Sequence, residues 1–185
     1  MGTIKIGSSA NRKGITVNPS VVLFNGKNVK SIMSGLTEIW SDIKALIPPM
    51  TSATTPSGEV VANGGITTGY EPYQAFNNGA GIWADFSQGQ GSKTTWIYYK
   101  FDSPKKVRGF DVRFTVTTIF KFQASNDGSN FTDLTQNLSV AQNTINHYDI
   151  NNDKKYLYYR IYVMSQSYSS AFYPGQLDEV QMYGS

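Results

Sequence analysis

Four stretches in the second half of the chain alternate apolar and polar residues with a period of two. In WIYYKF (residues 96–101), Ile97, Tyr99 and Phe101 share one face. In GFDVRFTV (109–116), Phe110, Val112, Phe114 and Val116 do the same. IFKFQAS (119–125) aligns Phe120, Phe122 and Ala124, and YYRIYVM (158–164) aligns Tyr159, Ile161 and Val163. Successive side chains on a strand point to opposite faces, so each stripe predicts a strand with one side on a core and one toward water. Turn-forming clusters separate the stripes: Asp102-Ser103-Pro104, Asn126-Asp127-Gly128 and Asn151-Asn152-Asp153. Short strands with no helical pattern between them predict an all-β sandwich or jelly roll over residues 51–185.

The first fifty residues read differently. TIKIG and GITVN alternate, and VVLFNGKNVKSIM joins two apolar runs through Asn25-Gly26, a pair suited to a tight hairpin because both residues accept positive φ. SIMSGLTEIWSDIKALI admits two readings. Ile32, Leu36, Ile39, Trp40, Ile43 and Ile47 fit one face of a helix, or Gly35 turns the chain and LTEIW is a strand. Strands as far as Trp40, then a short helix or extended stretch before Pro48, is the preferred reading. Aromatic usage marks a boundary, since only Phe24 and Trp40 precede residue 51 and all twelve Tyr follow it. IPPMTSATTPSG (47–58) has the composition of a linker or an entering extended segment, which puts the boundary near 48–55. Residues 1–50 are thus expected to be a small β-rich appendage, too short to be safely stable alone and packed on a partner or on copies of itself.

Composition narrows the classes. With 39% hydrophobic and 16% charged residues the chain is globular, and it has no apolar run near the ~18 residues that span a bilayer. MGTIKIGSSANRKG lacks the apolar centre of a secretory signal, so synthesis in a cytoplasm without one is expected. The absence of cysteine removes disulfides and thiolate metal sites and favours a bacterial or viral origin. The net charge of +3 is uneven: the first fifty residues carry +4 and the remainder −1. A nucleic-acid binder would place its basic stripe on the main body, which here is neutral. His147 is the sole histidine and cannot build a zinc site without cysteine; it is read as a surface residue. No nucleophile elbow, phosphate loop or H-E-x-x-H occurs, and no pair of facing carboxyls is evident, so no enzyme activity is expected.

Five pieces, in order, resemble the discoidin, or coagulation factor V/VIII C-type, domain shared with galactose-binding-like carbohydrate-binding modules. They are YQAFNNGAGIW (73–83), WIYYKFDSPKKVRGFDVRF (96–114), FKFQASNDGSNFTDL (120–134), YYRIYV (158–163) and LDEVQMYG (177–184). The resemblance implies a discoidin-like jelly roll with Trp83 as a core plug. It also implies a structural calcium ion near the opening turn, at Ala75, Asn77, Gly79 and Glu179. The chain departs from that pattern, with Asn77 where Asp is usual and a loop to Trp83 one residue shorter. Alternation along a strand predicts that Asp178 points away from Glu179.

In this family ligands are held by loops at one end of the sandwich. GGITTGYEPYQAF (64–76) brings Tyr70 and Tyr73, and SQSYSSAFYPGQ (165–176) brings Tyr168, Phe172 and Tyr173. Rigid aromatic plates pack on sugar C–H faces at low entropic cost. Arg113 and Asn143 are candidate polar partners, provided that they face the same rim; the competing reading of any one Tyr is packing on the sheet surface. FNGKNVKSIMSGLTEIW (24–40) resembles hairpin repeats of tail and baseplate proteins in phages of Gram-positive hosts. Together these features predict a non-catalytic virion protein adhering to host cell-surface polysaccharide. Residues 1–50 would contact other virion proteins, and 51–185 would be presented in many copies or as a homo-oligomer. The alternative is a decoration or assembly protein whose jelly roll binds protein.

Overall fold

The computed structural model describes residues 22–24, 27–29, 31–34 and 37–41 by their backbone, and 44–64, 67–87, 94–167 and 173–185 in full. The chain forms two compact units, Met1–Ile43 and Lys44–Ser185. In the first, β1 (Val22–Phe24) pairs antiparallel with β2 (Lys27–Val29), Phe24 opposite Lys27. β3 (Ser31–Ser34) pairs with β4 (Thr37–Ser41), Ser34 opposite Thr37. Strands therefore run through Trp40, as preferred from sequence. TIKIG and GITVN lie outside the described residues.

The second unit is a sandwich of two antiparallel sheets. Its strands are β5 (Lys44–Ala45), β6 (Glu59–Ala62), β7 (Thr95–Lys105), β8 (Val107–Phe114), β9 (Thr117–Ser125), β10 (Thr132–Asp133), β11 (Leu138–Val140), β12 (Asn146–Asp149), β13 (Tyr156–Ser167) and β14 (Leu177–Gly184). One sheet has the order β10-β9-β13-β7-β6, with β11 also on β9; the other has β12-β8-β14-β5. Among the described residues no helix is long and apolar enough to cross a membrane.

The alternating stripes are the inner faces. Ile97, Tyr99 and Phe101 face Phe110, Val112 and Phe114 across the core, joined by Phe120, Phe122, Ala124, Tyr159, Ile161 and Val163, all buried. The rings interlock: Phe110 stacks on Phe122 at 4.2 Å, and Phe122 lies 5.7 Å from Tyr159. Burying two tyrosines requires partners for their hydroxyls. Tyr99 donates to Ser57 O at 2.7 Å and Tyr159 to Lys105 O at 2.7 Å. Burial pushes both phenols above their usual range. Val116 was expected to extend the stripe of β8, but the strand ends at Phe114 and Val116 lies half-buried in the turn to β9.

The boundary falls earlier than composition suggested. Lys44 and Ala45 pair with Gly184 and Tyr183, and Leu46 N–H donates to Met182 O at 2.8 Å. Gln181 clamps Ile47 through both main-chain groups, and Ile47 and Met50 are buried in the core. Residues 44–50 thus belong to the sandwich, because pairing along β14 satisfies their backbone while their apolar side chains fill its end. Of the short helix and the extended stretch considered before Pro48, the structure has the extended one, which begins as the edge strand β5.

Candidate functional site

At the end of the sandwich where β8 finishes and β14 begins, three loop segments are stitched together. Trp83 and Leu177 exchange main-chain hydrogen bonds at 2.8 and 3.1 Å, and Asp85 N–H donates to Pro174 O at 2.6 Å. Trp83 is 1% exposed, filling the core beneath this junction. Asp85 is buried and acts as a hub. Its Oδ1 accepts from Ser87 N–H at 3.0 Å and Ser87 Oγ at 2.6 Å, while Thr95 Oγ1 donates to its Oδ2. Gly64 lies directly against this hub: a Cβ there would sit 1.8 Å from Ser87 Oγ, and its φ of +92° also favours glycine. On the far side, the buried Gln166 amide donates to Gly175 O at 2.7 Å and accepts from Gly175 N–H at 3.1 Å.

These pins bring three rings together. Phe86 lies 4.2 Å from Tyr173 and 5.1 Å from Tyr70, centroid to centroid. Tyr70 is 41% exposed, whereas Phe86 and Tyr173 are half-buried. The turn carrying Tyr70 is held by Glu71, whose Oε2 accepts from Gly69 N–H at 3.1 Å and Gln74 Nε2 at 2.6 Å. Gln74 first, then the main-chain amides, hold the Glu71 carboxyl below its usual range. The result is a small aromatic patch, open on one side, on a hydrogen-bonded base. Such a patch can receive an apolar face while nearby hydroxyl, amide and carboxylate groups receive polar edges.

Of the ring residues proposed from sequence, Tyr70 and Tyr173 meet here. Tyr73 does not: it lies on the 3-10 helix Pro72–Phe76 and packs half-buried against the core. Tyr168 and Phe172 lie outside the described residues. Phe86 was missed, although it directly precedes the Ser/Gly/Gln-rich run 87–92, a composition that cannot bury a ring by itself. Asn143 is exposed and donates its N–H to Phe114 O at 2.7 Å, which sets its turn at this end of β8.

Arg113 is not a free polar partner. Its Nε lies 2.9 and 3.0 Å from the two oxygens of Asp178, and Nη2 lies 3.5 Å from Glu179 Oε2. The expectation that Asp178 and Glu179 point apart fails because β14 is bulged. Leu177 pairs with Phe114 and Glu179 with Arg113, so Asp178 is the extra residue and both carboxylates reach one guanidinium. Burial raises the Asp178 pKa, against the opposing pull of Arg113.

The positions implied for calcium do not fit that ion. Ala75 is fully buried, Asn77 Oδ1 accepts from Ala80 N–H at 2.8 Å, and a Cβ on Gly79 would lie 2.7 Å from Arg113 Nη2 and 3.3 Å from Glu179 Oε2. A guanidinium stands where the turn meets the only carboxylate of the set, and a divalent cation there would face a like charge. Among the described residues no group of three or more His, Asp or Glu is placed to hold a metal.

Known proteins agree with this architecture. The chain resembles chitosan-binding module 1 of a chitosanase/glucanase from Paenibacillus sp. IK-5 at a TM-score of 0.58 and 20% identity, over 69% of this chain and 95% of the other. It resembles CpGH89CBM32-5 from Clostridium perfringens, solved with GalNAc-β-1,3-galactose, at 0.56 and 12%, over 67% and 93%. The CBM32 of AlyQ, in complex with 4,5-unsaturated mannuronic acid, aligns at 0.53 and 18%, over 66% and 92%. No curated protein matches the chain in sequence. The F5/8 type C domain family matches residues 52–173, more than half of the chain. The chain belongs to the F5/8 type C domain family.

Proposed function

We propose that the sandwich is a non-catalytic carbohydrate-binding module whose ligand rests on Tyr70, Phe86 and Tyr173. The observation that carries this reading is the clustering of three rings, from loops 64–71, 83–87 and 173–176, on a base fixed by main-chain bonds. Aromatic side chains that are already held in place lose little entropy when a sugar ring covers them. Similar modules solved with bound sugars support the ligand class. Residues 1–43, the unit outside the sandwich, anchor the protein to a virion, in contact with other virion proteins, and many copies present weak sites that adhere together to host cell-surface polysaccharide. The likeness of residues 24–40 to phage tail and baseplate hairpins supports this context, as do the two short strand pairs of that segment.

The test is a glycan array and cell-wall pull-down with the full chain displayed multivalently, beside Phe86→Ala. Retention of wild type and its loss in the variant are the expected results. If no polysaccharide retains the wild type, the protein-binding decoration role replaces this reading.

A further inference from the structure

The geometry points to Arg113 as the built-in cation of the site that the fold otherwise gives to a calcium ion, so that this module folds without calcium. The turn after the 3-10 helix must be held against β14, and β14 presents two adjacent carboxylates there. The bulge at Asp178 turns both Asp178 and Glu179 toward one place, and unpaired they would repel each other. Arg113, from the neighbouring β8, fills that place. Its Nε meets both oxygens of Asp178 at 2.9 and 3.0 Å, and its Nη2 meets Glu179 Oε2 at 3.5 Å. The same Nη2 lies close to the turn, 2.7 Å from where a Cβ on residue 79 would stand, and the φ of +77° there favours glycine. One planar guanidinium therefore pairs with two residues of the last strand and lies beside the opening turn, with donors at fixed angles. A metal ion would do this with oxygen ligands, whereas here the counter-charge is covalently part of β8 and cannot be removed by a chelator.

The experiment compares thermal melting of the full chain and of Arg113→Gln, each in excess EDTA and in millimolar calcium chloride. The wild type should melt at one temperature in both buffers. An ion bound to the native state alone would raise that temperature by several degrees. Arg113→Gln leaves two partly buried carboxylates facing each other and should melt about 5–10 °C lower in EDTA. Calcium should restore part of that loss, since the uncovered oxygens suit a hard cation. A calcium-dependent rise in the wild type overturns the inference, as does an Arg113→Gln protein that melts with the wild type in EDTA. The wild-type comparison stands even where the variant fails to fold. Neither result bears on sugar retention, so the ligand reading is tested separately.

Discussion

Replacing Gln166 with methionine tests whether the loop end carrying Tyr173 is held by one buried amide. Gln166 is 1% exposed on β13, where its backbone pairs with Thr118. Its side chain donates to Gly175 O at 2.7 Å and Thr118 Oγ1 at 3.1 Å, and accepts from Gly175 N–H at 3.1 Å. Methionine keeps length and volume but offers none of these bonds. Thr118 loses little, because its hydroxyl still donates to Val116 O at 2.9 Å. Gly175 is buried, and its N–H and C=O lose their partner together. Each unmet buried group costs about 1–3 kcal/mol, and the apolar gain of methionine returns part of it, leaving a loss of about 2–5 kcal/mol. For a unit of this size that lowers the melting temperature by about 5–15 °C. Calorimetry gives the shift, and urea unfolding with an unchanged m-value shows that stability alone moved. Tyr173 lies two residues from Gly175, so sugar retention should fall even at temperatures where the variant is folded. A variant melting within about 2 °C of wild type would refute the argument that the amide pins this turn.

Three further outcomes are expected. Phe122→Ala removes a fully buried ring packed between Phe110 and Tyr159, and should cost about 3–5 kcal/mol in urea unfolding; a loss under about 1 kcal/mol would contradict the stacked core. Tyr70→Ala should cost no more than about 1 kcal/mol, because the ring is 41% exposed and packs only on Phe86 among the described rings, yet reduce polysaccharide retention; equal retention would remove Tyr70 from the rim. His147 lies 2.6 Å from Asp111 and 3.3 Å from Asp149. Burial pulls its pKa down, but the hydrogen bonds to the two carboxylates together outweigh it and the pKa is raised. Its stabilising effect is therefore present below the ordinary value of about 6.5 and is lost as pH rises through the folded pKa. Melting of His147→Gln between about pH 5.5 and 8.5 should lack that component, and an unchanged pH profile would show that the pairing contributes nothing.

The inner faces were legible because a period of two survives whatever the strand's partner is. Phe110, Val112 and Phe114 needed no knowledge of β14 to be placed inside. Residues 44–50 were not legible, since Pro48, Pro49 and the Thr/Ser run that follows have the composition of a linker. What makes this stretch part of the sandwich is Gln181, 134 residues distant from Ile47. The tyrosines divide for a similar reason. Tyr98 and Tyr158 pack edge to face at 5.4 Å, half-buried on the outer surface of the larger sheet, and Tyr73 turns to the core, while Tyr70 reaches the rim. Residue type alone cannot sort them, because an apolar ring with a polar tip suits all three places.

The bulge at Asp178 shows how one irregularity decides the chemistry of a site. Strict alternation would send Asp178 and Glu179 to opposite faces, leaving Glu179 alone beside the opening turn. A lone carboxylate with turn carbonyls around it is an arrangement that attracts a hard cation. One extra residue on β14 gathers a second carboxylate to the same point, and Arg113 balances the pair. The sequence does carry a trace of it, since two polar residues separate Leu177 from Val180 where a period of two allows one. The same end of β14 adjoins the aromatic patch. Residue 177, immediately before the bulge, exchanges main-chain bonds with Trp83, and Phe86 lies three residues beyond Trp83. The start of β14 is thus tied by main-chain bonds to the loop segment that carries Phe86.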